Sequence, residues 1–116
     1  MKQLIQSFVF AAKGIRQAIT GQRNLKIHVA VAMAVAAAGV HYTISNAEWG
    51  LVLLAVGLVI TAELMNTAIE GLVDLLEPRH HPLAGKVKDI AAGGVLVASV
   101  CAAGIGVLVF MKYVTA

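Results

Sequence analysis

The sequence predicts an all-α membrane protein, with an N-terminal amphipathic surface helix followed by three transmembrane helices. Three observations carry this reading. Hydrophobic residues make up 59% of the 116-residue chain and charged residues 13%, with a mean hydropathy of +0.86; that balance belongs to the membrane class and not to a soluble globule. The charged residues gather at the ends of three long apolar runs. The stretch before the first run instead mixes apolar and polar residues at helical period.

Residues 1–20 make the surface helix. Leu4, Ile5, Phe8, Ala12, Ile15 and Ile19 share one arc, and Lys2, Gln3, Gln6, Lys13 and Gln17 the other, with Arg16 at the border and Phe10 misplaced in the polar arc. A basic helix of this kind, about 28 Å long, lies in the headgroup plane with its apolar face down. Its interrupted pattern is not that of a signal peptide. Gly21 ends it, and an uncharged run rich in Ala and Val makes residues 28–45 the first transmembrane helix.

Ser45-Asn46-Ala47-Glu48 reads as a turn with an N-cap, and Trp49 stands where an interfacial anchor belongs. Residues 49–76 form the second transmembrane helix, which exceeds the roughly 20 residues of one crossing, so its last turns emerge at the surface. Pro78 and Pro82, with Arg79, His80 and His81, form the connector, because proline continues neither helix. Residues 86–111 form the third; its glycines at 93, 94, 104 and 106 suit close helix contact.

Lysine and arginine set the orientation: five precede the first span, three follow the second, none lies in residues 41–48, and Lys112 stands alone near the end. The N-terminus is therefore inside, and the chain is multi-pass. A net charge of +3 does not signal nucleic acid, since the basic residues flank apolar spans and form no patch with aromatics. Cys101 is alone, so no disulfide forms within one chain.

The functional candidates lie in Glu63-Leu-Met-Asn-Thr-Ala-Ile-Glu-Gly-Leu-Val-Asp74. At about 100° per residue, Glu63, Asn66, Thr67, Glu70 and Asp74 share one helical face. Acids at membrane depth are costly and mark a function by default. Carboxylates beside a lysine and an arginine, at an interface open to a soluble anion and to a lipid head, suit phosphoryl transfer, which needs positioning, a divalent cation and a base aimed at the attacking hydroxyl. Glu63, the deeper acid, is placed to meet a lipid hydroxyl, and Glu70, nearer water, to hold magnesium. Gly85-Lys86 lacks the context of a P-loop. His28, His41, His80 and His81 lack metal-ligand spacing with the cysteine and read as solvated or interfacial histidines.

At these residues the chain resembles the prokaryotic diacylglycerol kinase family, whose signature Glu-x-x-Asn-(Ser/Thr)-Ala-x-Glu-x-x-x-Asp is matched from Glu63 to Asp74. The resemblance extends through Lys13-Gly14-Ile15-Arg16, Arg23-Asn24-Leu25-Lys26-Ile27-His28, His81-Pro82-Leu83-Ala84 and Lys88-Asp89. The second and third of these stretches look more like the undecaprenol kinase branch. The resemblance implies a homotrimer that transfers the γ-phosphate of ATP, with Mg2+, to a membrane lipid alcohol, undecaprenol or diacylglycerol. It implies Glu63 as catalytic base, Glu70 and Gln22 as metal ligands, Lys88, Asp89 and His81 as nucleotide contacts, and Asn66, Arg16 and Asp74 as substrate or site-shaping residues. Gln22 stands where many members have a second metal-binding glutamate, and Arg79-His80-His81 replaces a frequent Glu-Tyr-His.

Two other readings compete. A kinase-like protein with weakened catalysis follows from the missing charge at Gln22. A small proton-coupled transporter would use Glu63 and Glu70 as relay sites, but it needs polar residues across the whole membrane, and the outer halves of the spans lack them.

Overall fold

The computed structural model describes residues 1–116 as four α-helices: α1 (Lys2–Gly21), α2 (Arg23–Tyr42), α3 (Asn46–Leu76) and α4 (Pro82–Val114). The last three are long and apolar enough to cross a membrane. Only 10 of the 116 residues are buried within the chain, so its apolar surface is covered from outside and its fold does not rest on a self-contained core.

The helix ends follow local chemistry and shift the expected limits. The junction of α1 and α2 is a single residue, Gln22, whose extended backbone (φ −119°, ψ 118°) caps one helix and opens the next. The break falls there, one residue beyond Gly21. Helix α2 therefore begins at Arg23 and ends at Tyr42, not at residue 45. Its end is made by Thr43, which takes the left-handed conformation (φ 51°, ψ 55°) that lets the Thr43 and Ile44 amides donate to the Val40 and Gly39 carbonyls, each at 3.2 Å.

Helix α3 starts three residues before Trp49 because Ser45 and Glu48 form a reciprocal capping box: Glu48 N–H donates to Ser45 Oγ at 3.2 Å and Ser45 N–H to Glu48 Oε1 at 3.0 Å. Helix α4 begins at Pro82, four residues before the expected limit. Proline is accepted at a first helical position, where its missing N–H is not needed. The imidazole of His81 caps that end, its Nδ1 accepting from the Leu83 amide at 3.1 Å.

Helices α3 and α4 run antiparallel and form the main packing of the molecule. The start of α3 and the end of α4 are joined by Glu48, which accepts a hydrogen bond from Tyr113 Oη at 2.5 Å and pairs with Lys112 Nζ at 3.1 Å. Beneath this, Ile44, Val52 and Val109 form a small buried cluster against Trp49 and Tyr42, and the Tyr42 and Tyr113 rings stack 5.7 Å apart. The opposite ends of the same helices meet at Asp74 and Lys88. The clamp at Glu48 thus sets the register in which the polar stripe of α3 meets its neighbours.

Gly39 is the one glycine whose missing side chain this packing requires. A Cβ there would stand 2.6 Å from Trp49 Cη2 and 3.1 Å from Ile44 Cδ1. Gly39→Ala is expected to destabilise the fold by about 1–3 kcal/mol, the usual cost of overpacking. A lowered unfolding midpoint in detergent would check it.

Candidate functional site

The polar stripe of α3 meets three different neighbours, because α1, α2 and α4 reach it at different heights. Glu63 turns to α2, where its Oε1 stands 3.2 Å from His28 Nε2. Glu63 is 3% exposed, which makes it the most enclosed charged residue of the chain. Its neighbour His28 remains partly accessible and lines a cavity of 350 Å³ between α2, α3 and α4, among Val59, Ile60, Ser99 and Ala102. The wall of this cavity is almost wholly apolar.

One turn along, Asn66 Nδ2 donates to Glu70 Oε1 at 3.1 Å. The other end of that amide, Oδ1, is buried without a hydrogen-bond partner. A further turn along, Asp74 pairs with Lys88 Nζ of α4 at 2.5 Å. This pair is well exposed, with Asp74 showing 62% of its side chain, so it belongs to the class of surface ion pairs worth about 0–1 kcal/mol. A pair this weak lets Lys88 exchange its partner for another anion at little cost.

Glu70 differs from the other acids of α3. Glu48, Glu63 and Asp74 each face a basic side chain from another helix, whereas Glu70 meets only the amide of Asn66. A partly exposed carboxylate without a basic partner, beside an orphaned amide oxygen, is a donor set that fits a hard divalent cation. The chain by itself gathers no group of three His, Cys, Asp or Glu residues around a common point. Magnesium is commonly held by one or two carboxylates, with water and substrate phosphate completing its shell, so the set fits that ion.

The remaining candidates are more dispersed. Gln22 lies in a groove between α1 and α3 with Gly14, Ile15, Ala18, Leu64 and Thr67. Arg16 and Asp89 are exposed, and neither makes an ion pair within the chain. His81 is exposed and occupied at Nδ1 by the cap of α4, which leaves Nε2 open.

His28 is the residue that the reading of solvated or interfacial histidines missed, since it faces the buried acid. The signal was its place at the end of the Arg23-Asn24-Leu25-Lys26-Ile27-His28 stretch, where the uncharged run begins and more than one helical turn inside α2.

Chemically, the arrangement offers a water-shielded carboxylate beside an apolar cavity, a second carboxylate suited to a cation, and a lysine at the same end. Such a set serves an alcohol with a hydrocarbon body and a phosphorylated co-substrate. It does not serve a proton relay, because the cavity that continues from His28 toward the opposite end of the helices is walled by Val31, Val35, Val52 and Val56.

Comparison with known proteins agrees with this chemistry. The family described as prokaryotic diacylglycerol kinase matches residues 9–110. The chain is 41% identical over 111 residues to the undecaprenol kinase of Bacillus subtilis (strain 168), covering 96% of this chain and 90% of that protein. It is 38% identical over 104 residues to a diacylglycerol kinase of Synechocystis, covering 89% of this chain and 59% of that protein. With the diacylglycerol kinase of Escherichia coli (strain K12) it shares 38% identity over 52 residues, 45% of this chain and 43% of that one.

Proposed function

This chain belongs to the prokaryotic diacylglycerol kinase family and is a membrane lipid kinase, and we propose that it transfers the γ-phosphate of ATP to undecaprenol, with Glu63 as the base. The observation that carries the assignment of the base is the enclosure of Glu63 beside an apolar cavity. The choice of undecaprenol over diacylglycerol is supported by the likeness to the Bacillus enzyme over nearly the full length of both chains.

In this reading the hydrocarbon body of the lipid lies along the cavity wall and its hydroxyl reaches Glu63. The carboxylate accepts the hydroxyl proton as the lipid oxygen attacks the γ-phosphorus, and the bond from that phosphorus to the bridging oxygen of ADP breaks. Lys88 leaves Asp74 to contact the phosphates, with Asp89 and the open nitrogen of His81 as further nucleotide contacts. Asp74 keeps Lys88 near when no nucleotide is present. Asn66 orients Glu70, and Glu70 with Gln22 would hold Mg2+. Bound there, the ion would neutralise phosphate charge.

The chain acts as a homotrimer in the bacterial cytoplasmic membrane with its N-terminus inside. Support for the trimer comes from Arg16 and Asp89, which are exposed and form no ion pair within a single chain, and from the resemblance. Helix α1, amphipathic in sequence, lies on the membrane surface, with Arg16 toward the headgroups.

Transfer of labelled γ-phosphate from Mg-ATP to undecaprenol and to diacylglycerol in mixed micelles tests the proposal. Product on undecaprenol is expected, and Glu63→Gln should lower kcat by about 10²- to 10⁴-fold, the usual share of a general base, while nucleotide still binds. Product only on diacylglycerol would overturn the acceptor, and a fully active Glu63→Gln enzyme would overturn the base.

Two further outcomes follow from the same site. Gln22→Glu adds a charged oxygen ligand and should lower the Mg2+ concentration for half-maximal activity several-fold, read from a magnesium titration at saturating ATP. Ala102→Phe, which fills the cavity, should raise KM for undecaprenol and leave KM for ATP unchanged.

A further inference from the structure

The geometry points to His28 as a positioning residue for Glu63: its Nε2–H holds Oε1 of the buried carboxylate and leaves Oε2 to receive the proton of the lipid hydroxyl. This rests on the reading of Glu63 as the base.

Glu63 is 3% exposed, and the only polar side-chain contact it makes is His28 Nε2, 3.2 Å from Oε1. A carboxylate supplies acceptors alone, so a contact at that distance is favourable only when the facing nitrogen bears the hydrogen. The distance is at the long end of the hydrogen-bonding range, as is common for catalytic contacts before substrate closes the site.

No other group takes this role. The other ionisable side chains of the four helices are Lys2, Lys13 and Arg16 on α1, Arg23, Lys26, His41 and Tyr42 on α2, Glu48, Glu70 and Asp74 on α3, and Lys86, Lys88, Asp89, Cys101, Lys112 and Tyr113 on α4. None of them forms an ion pair with Glu63 or His28. The cavity beside the pair adds Ser99 as its one other polar lining residue.

A buried acid free to rotate presents either oxygen, or neither, to an incoming hydroxyl. Holding one oxygen from α2 removes that freedom and aims the base before the lipid arrives, and preorganisation of this kind acts on turnover more than on binding. His28 joins two functions at one point, because it also lines the cavity assigned to the lipid body.

The test compares His28→Leu with His28→Gln in the full-length enzyme in mixed micelles, with undecaprenol and Mg-ATP. Leucine keeps an apolar filling and loses the donor; glutamine keeps a donor in an apolar setting. His28→Leu is expected to lower kcat about 10- to 100-fold with KM for ATP unchanged, and His28→Gln to recover most of the loss.

If His28 only filled space beside the cavity, leucine would serve at least as well as glutamine, and that order would overturn the inference. Glu63→Gln separates this result from failure of the base itself. An inactive Glu63→Gln enzyme beside a fully active His28→Leu enzyme defeats only the role of His28, whereas an active Glu63→Gln enzyme defeats both. In the double variant, the loss should equal that of Glu63→Gln alone, since one residue acts through the other. Additive losses would also overturn the proposal.

Discussion

The acids of α3 must be answered from neighbouring helices, and the rest of the structure depends on how this is done. A helix of 31 residues built largely from Leu, Val and Ala has little reason of its own to choose one rotation or height against α2 and α4, since lipid covers its apolar face as well as protein does. Charged groups at membrane depth remove that indifference. Glu48 draws Lys112 and Tyr113 at the start of α3, Glu63 draws His28 midway, and Asp74 draws Lys88 near its end. Contacts to two helices at three heights leave little room for sliding or rotation. Against that frame Glu70 is conspicuous, because it alone of these acids forms no ion pair within the chain.

The two ends of the molecule use similar residues for opposite purposes. At one end, Glu48 is enclosed, receives donors from Ser45 and Tyr113 and a charge from Lys112, and seals a small cluster of Ile44, Val52 and Val109. Both oxygens of that carboxylate are engaged, which suits a permanent joint. At the other end, Asp74 and Lys88 are exposed and bound mainly to each other, Asn66 leaves an amide oxygen unpaired, and Asp89 is unengaged. The nucleotide site proposed there could not exchange its ligand if its own side chains saturated it. Incomplete pairing at one end is tolerable because the other end holds the register.

Much of this was legible in the sequence, for physical reasons that also explain what was not. The three spans were readable because apolar runs of this length favour a helix in lipid, and the first helix because its apolar residues recur at helical period. The cap at Ser45 was readable because its partner Glu48 lies three residues on. The ends of α2 and α4 were not. Thr43 in a left-handed conformation is unusual for a β-branched residue, and Pro82 was read as a breaker although the first helical turn accepts it. In the site, the shared face of Glu63, Asn66, Glu70 and Asp74 follows from period alone. Their partners do not, since facing across helices depends on relative height and rotation. His28 shows the limit: spacing along the chain says nothing of a residue 35 positions away, yet the fold places its imidazole against Glu63.

The same pairing bears on whether the glutamine at position 22 impairs the enzyme. Gln22 is the residue that bends the chain between α1 and α2, and its side chain lies in the groove that α1 forms with α3 beside Thr67. A glutamate there would add a second unpaired carboxylate near the stripe, in a region where Glu70 already lacks a basic partner. Before magnesium and nucleotide bind, two such charges repel each other, and desolvation makes that costly. An amide keeps an oxygen ligand and removes the repulsion, so the unloaded site is easier to hold together while the ion is bound less tightly. In the proposed site Glu70 would supply the charge that attracts the ion, with the nucleotide phosphates completing its shell. On the proposed assignment the neutral residue at 22 is therefore compatible with a working kinase, and its consequence would fall on the magnesium requirement and not on Glu63.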